Sequence, residues 1–193
     1  MTAAPPRPAV VPPSRPSALP PSPRATPATQ QQRRLRYGAA LAALRARAAV
    51  TPTGSVQRRQ TLQLCGAANL LTALGIRVDV VQPTVPWPRD RRHRLQVENS
   101  AGLLGDLALL VGAPRTAEGW ADVADRVLPV RTASRGPLRD AADAVTCPVT
   151  VQYRTDDGPL LVPPRSLYDV VAIRGLVVEV RLLAVGSEVS RAA

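Results

Sequence analysis

A chain of 193 residues, 45% of them apolar, allows one domain and a tail, and its single histidine excludes any mechanism that needs two. Aromatic residues make up 3% and phenylalanine is absent, so the core must be built from Leu, Val and Ala. The formal net charge is +11 and every basic residue is arginine, which points to a polyanionic partner, an anionic membrane surface or nucleic acid, although a coding bias toward Arg, Ala and Pro gives the same composition.

Residues 1–32 are rich in Pro, Ala, Ser and Thr. Proline fixes φ and removes a donor, which predicts a disordered, partly polyproline-like tail. Arg33-Arg34 ahead of residues 37–44 is similar to a twin-arginine signal, but Arg45 interrupts the apolar run early. No run of about 18 apolar residues exists, so no transmembrane helix is predicted. Residues 33–50 have helix-forming composition. Their arginines do not share one face, which suits a basic helix on anionic headgroups or one in solvent. Pro52 and Gly54 break it.

Residues 57–74 predict a second helix with a stripe of Leu64, Ala67, Ala68, Leu71 and Leu74, and Gly75 stands where a C′ glycine belongs. Residues 76–81 alternate as a half-buried strand, 83–88 read as a loop, 89–93 as a charged turn and 95–98 as a second strand. Asn99 and Ser100 are turn formers and good N-caps for a helix whose apolar side is Leu103, Leu104, Leu107, Ala108 and Leu110. Pro114 ends it. Residues 116–127 predict a helix capped by Thr116, and 137–145 another that stops before Pro148. Residues 149–153 alternate as a strand, 156–158 form a turn, 166–173 form a short helix capped by Ser166, and 176–183 are apolar enough for a central strand. Alternating strands and helices give an α/β fold. Cys65 and Cys147 have no metal spacing and read as small buried residues without a disulfide.

The order of "LLTALGIRVDV", then "RLQVENS" and a Leu-rich helix, and the ending "AADAVTCPVTVQYRTDDG" with "SLYDVVAIRGLVVEVRLL", resembles the lysophospholipid acyltransferases, the family of 1-acyl-glycerol-3-phosphate acyltransferases. The similarity covers residues 57–185 and rests on apolar pattern. It implies an acyltransferase-like sheet flanked by helices, shortened in the middle. The expected division is a tail at 1–32, a basic helix and linker at 33–56, the α/β domain at 57–186 and a short tail at 187–193.

The resemblance also implies the chemistry. The family needs a His and an Asp five positions apart at the first strand–helix turn, the His removing a proton from the acceptor hydroxyl and the Asp orienting it. If Asn99 aligns with the Asn before that His, Ser100 stands at the His position and Gly105 at the Asp position. Serine is no base near neutral pH, and Asp106 is turned about 100° away on a helix. His93 and Glu98 have the right interval, but in an extended segment they lie roughly 16 Å apart. The acceptor-binding block is matched by residues 128–132, where Pro129 and Thr132 fit while Val130 and Arg131 depart from it. Arg131, Thr132, Arg135 and Arg139 are candidates for holding a phosphate, or are ordinary solvated residues. The resemblance implies a glycerophospholipid acceptor, an acyl-coenzyme A or acyl carrier protein donor, no resident cofactor or metal, and a peripheral place at the cytoplasmic membrane face. Activity is expected to be impaired or absent. The alternatives are a non-catalytic lipid-headgroup or protein-binding module, and a basic nucleic-acid-binding protein. Scarce aromatic platforms disfavour the last.

Overall fold

The computed structural model describes residues 24–51, 55–89, 91–99, 102–128, 144–160 and 162–185. Among these residues the fold is a mixed five-stranded sheet with helices packed on it. The elements in order are α1 (Pro27–Val50), α2 (Val56–Leu74), β1 (Arg77–Val81), β2 (His93–Val97), α3 (Gly102–Gly112), α4 (Trp120–Val127), β3 (Val145–Thr155), β4 (Gly158–Pro159), α5 (Leu167–Ala172) and β5 (Val177–Leu182). The strand order is β1-β5-β3-β2, with β4 paired to β3. β1 runs parallel to β5 and β2 parallel to β3, while β3 and β5 are antiparallel.

α3 lies directly on β1 and β5, α2 and α4 pack on α3, and α1 packs on α2 and α5. Leu107, Leu109 and Leu110 of α3 are all but fully buried, as are Trp120, Val149, Val151, Val178 and Val180. The core is therefore aliphatic, with Trp120 as its largest side chain, and its indole donates to the Leu110 carbonyl at 3.1 Å. The opposite face of the sheet is polar. Asp79, Arg154, Glu179 and Arg181 form a ladder of ion pairs across β1, β3 and β5. As expected, β5 is central, lying between β1 and β3.

The first helix begins earlier than the sequence suggests. Thr26 accepts a hydrogen bond from the Thr29 amide, and Pro27 takes the first helical position, where its missing N–H is not needed. Residues 27–32 are thus helical rather than part of a disordered tail. Ahead of them, the Ala25 amide donates to the Ala172 carbonyl at 2.7 Å, so residues 24 and 25 dock on the end of α5. Arg33 does not float in solvent. Its Nη1 donates to the carbonyls of Val171 at 3.2 Å and Ile173 at 2.7 Å, and burial lowers its pKa.

α2 ends as its glycine predicts. Gly75 adopts φ 71°, and the amides of Gly75 and Ile76 bond back to Thr72 and Leu71. The buried face is rotated from the expected stripe and runs through Gln63, Gly66, Ala67, Leu70, Leu71 and Leu74. Gly66 is there because Leu44 of α1 comes close: a Cβ at this position would lie 2.7 Å from Leu44 Cδ1. Cys147 is buried as expected, but Cys65 points to solvent.

Three further expectations are corrected. Ala144 is in no helix and Val145 opens β3 instead of closing one; the remainder of the expected helix, 137–143, lies outside the described residues. Pro148 is tolerated inside β3 because it sits just past the last β3–β5 pair, Val149–Leu182, where only its carbonyl is used, by the Leu183 amide. α4 starts at Trp120 after Gly119 at φ 89°, and Thr116 caps nothing. Residue 118 pairs with β2 instead: the Glu118 amide donates to His93, and its carbonyl accepts from Leu95. The strand β2 itself starts at His93, inside the expected charged turn. The Asp156-Asp157 turn and the Ser166 cap stand as expected, with Ser166 and Asp169 forming a reciprocal capping box.

Candidate functional site

The strand–turn–helix junction after β2 is built by Asn99. Its side chain does not cap α3. The Nδ2 donates to the Val151 carbonyl at 2.5 Å and the Oδ1 accepts from the Val151 amide at 3.1 Å. The side chain thus imitates one more backbone pair of the β2–β3 ladder and fixes where the turn leaves the sheet. α3 then starts at Gly102, whose φ of 60° suits a residue without Cβ. Ser100, at the family's His position, lies outside the described residues.

Gly105, at the family's Asp position, is buried in α3. Its amide bonds to the Tyr153 phenol from β3, whose pKa is pushed up to about 12 by burial and by the nearby Asp106 charge. Asp106 is committed elsewhere. Its two oxygens take a fork from Arg126 of α4, at 3.1 Å from Nε and 3.0 Å from Nη2. No proton-transfer dyad forms at this turn among the described residues.

His93 and Glu98 do not meet. His93 opens β2 and Glu98 follows its last residue, five positions on, so the two side chains take opposite faces at opposite ends of the strand. The His93 ring instead lies 5.5 Å from Trp87, tilted by 37°. Arg131, Thr132, Arg135 and Arg139 lie outside the described residues. No group of three or more metal-ligating side chains occurs among the described residues.

Two clefts sit at the two ends of α3. At its N-terminal end a cleft of about 430 Å³ is lined by Tyr37, Leu103, Leu104, Leu107, Arg165 and Ser166, among others. Its wall is mainly aliphatic, yet Leu103 keeps 59% of its surface exposed. The polar groups gather at the rim. The first turn of α3 holds no acidic residue, so its free amides present partial positive charge. Arg165 adds a full charge, and Arg34 stacks over the exposed ring of Tyr168 nearby, 4.6 Å from its centre. Asp169 is the acid of this neighbourhood, and its carboxylate is occupied by the Ser166 hydroxyl and the amides of Arg165 and Ser166, which lower its pKa.

At the C-terminal end of α3 a second cleft of about 550 Å³ is lined by Trp87, Arg89, Arg91, Arg92, His93 and Thr116, among others. In sequence, residues 89–93 read only as a charged turn. A basic run beside Trp87 and two prolines was the signal available for a shaped site, but only the sheet shows that β1, β5 and α3 all end there. The residues of the first cleft were hidden more deeply, since they come from α1, α3 and the segment before α5.

Comparison with protein-family models, with curated proteins and with solved structures finds no significant match to this chain.

Proposed function

We propose that this chain is a lysophospholipid acyltransferase-like protein without the transfer chemistry, a binding module that takes a single acyl chain into the cleft at the N-terminus of α3 and holds an anionic headgroup at its rim. The observation that carries the reading is the aliphatic cleft beside the turn where the sequence resemblance puts the acceptor-activating motif, with no His, Asp or Glu among the described residues that line it. A volume of about 430 Å³ falls within the range of small-molecule pockets. Burying about six methylenes there contributes roughly 5 kcal/mol. Arg165 and the free amides of α3 favour a phosphate or carboxylate at the mouth. No helix among the described residues is long and apolar enough to cross a membrane, so lipid would be met at a surface or as monomer.

The test is displacement of a fluorescent fatty acid from the full chain by lysophosphatidic acid, run beside an acyl-transfer assay with acyl-coenzyme A. Lysophosphatidic acid should displace the probe, and Leu103→Glu or Leu167→Glu should weaken it by at least about tenfold, because a carboxylate would then face the buried chain. Transfer should stay at background. Displacement that ignores both substitutions would refute the cleft, and turnover abolished by His93→Ala would restore an enzyme.

A further inference from the structure

The basic cleft at the other end of α3 is independent of that reading. Its floor is held in three places. Trp87 Nε1 donates to the Leu183 carbonyl at 2.8 Å, just past the end of β5. The Arg92 carbonyl accepts from the Val145 amide at 2.8 Å, at the start of β3. The His93 ring rests against Trp87. The segment that carries Arg89, Arg91 and Arg92 is therefore pinned at Trp87 and at Arg92, and the three arginines line one concavity.

These three cations differ from the arginines of the sheet. Each of the four strand arginines has a carboxylate partner: Arg77 with Asp156, Arg94 with Glu118, Arg154 with Asp79 and Glu179, and Arg181 with Glu179. Among the described residues Arg89, Arg91 and Arg92 have none and no acid lines their cleft; Asp90, between Arg89 and Arg91 in sequence, lies outside the described residues. The C-terminus of α3 opens here and supplies only about half a negative charge, which three guanidiniums outweigh. His93 lines the same cleft, and its Nε2 is without a hydrogen-bond partner among the described residues. One wall is flat and apolar, made by Trp87 and the neighbouring prolines.

We propose that this cleft binds a soluble pyrophosphate-bearing anion, of the class of a nucleoside diphosphate. Three arginine forks match the non-bridging oxygens of two adjacent phosphates, because each guanidinium can donate two parallel bonds to one phosphate. The wall at Trp87 takes the ring attached to them. A volume of about 550 Å³ suits a ligand of that size.

The experiment is titration of the full chain with inorganic pyrophosphate, with ADP, and with phosphatidylcholine vesicles containing phosphatidate, followed by Trp87 emission and by calorimetry. Trp120 is buried and gives a constant background. Pyrophosphate and ADP should both bind, ADP more tightly and with a change in Trp87 emission. The triple variant Arg89→Gln, Arg91→Gln, Arg92→Gln should lose at least about tenfold in affinity for both. A triple variant of exposed α1 residues that line no part of this cleft, Arg36→Gln, Arg45→Gln and Arg47→Gln, removes the same charge and should change affinity by less than about twofold, since salt screens solvent-exposed charges. Thermal melts check that both variants fold, and Arg89→Gln alone, which touches none of the three anchors, gives the same direction if the triple variant does not fold. Equal losses in the two triple variants would mean that net charge alone attracts the anion, and would overturn the proposal. Binding to vesicles without binding of pyrophosphate or ADP would also overturn it, as would no binding at all.

Discussion

Replacing Asn99 by Ala tests how the central turn is held. The Asn99 side chain makes two hydrogen bonds to the backbone of Val151, a residue only 1% exposed. Alanine would leave both the Val151 amide and its carbonyl without that partner. Each unsatisfied backbone group costs about 1–3 kcal/mol, and water can reach the turn from the Asn99 side, so the expected loss is about 2–4 kcal/mol. In a chain of this size that lowers the melting temperature by roughly 5–15 °C. Asn99→Asp sharpens the argument. An aspartate still accepts from the Val151 amide but turns its second oxygen on the Val151 carbonyl, which disfavours the charged form in the folded state. Its folded pKa is then raised above the ordinary value near 3.9, so the stability of this variant relative to wild type is best below that pH and falls as pH rises through the raised value. Chemical denaturation of wild type and both variants at pH 4 and pH 7 reads all of this. An Ala variant within about 0.5 kcal/mol of wild type, or an Asp variant whose deficit shrinks as pH rises, would refute the reasoning.

Gly66→Val should destabilise the pairing of α1 and α2 by about 1–3 kcal/mol in a urea melt, because even a Cβ would lie 2.7 Å from Leu44 Cδ1. The Tyr153 phenol, pushed up to about 12 in the fold and near 10 when unfolded, contributes stability that is present below pH 10 and lost as pH rises toward 12. Tyr153→Phe should flatten that alkaline loss in pH-dependent melts. Under native conditions a thiol reagent should modify Cys65 quickly. Cys147 should react only on unfolding, since it is buried and burial pushes its thiol pKa up. Two thiols that react at one rate would contradict the structure.

What could be read from the sequence was mostly local. Gly75 announced the end of α2, Ser166 with Asp169 the start of α5, and the run of β-branched residues after Leu176 a buried central strand, because each of these signals acts within one or two turns of chain. The failures came from distant partners. Asn99 has the composition of a cap, yet its donor and acceptor are used by Val151, 52 residues away. Thr116 lost its helix because residue 118 pairs with β2. Arg33 reads in sequence as a charge on headgroups or in solvent, yet the carbonyls of Val171 and Ile173 take it. Pro148 read as a boundary, and only the point where β5 stops explains why a strand passes through it. For the site, both clefts depend on residues brought together from separate elements, which no local signal announces.

The pairing of residue 118 with β2 matters for what happens between molecules as much as within one. An open sheet offers a row of unpaired amides and carbonyls at each side, and such a row is a template for strand addition by another chain. Here the outer side of β2 is taken, with Glu118 bonded to His93 and Leu95. The other side, β1, is five residues long and carries Arg77, whose side chain is 69% exposed, and Asp79. A short charged border on one flank and a covered one on the other leave little for a neighbour to extend, so these borders guard a Val- and Leu-rich sheet against fibril-type association in a crowded solution.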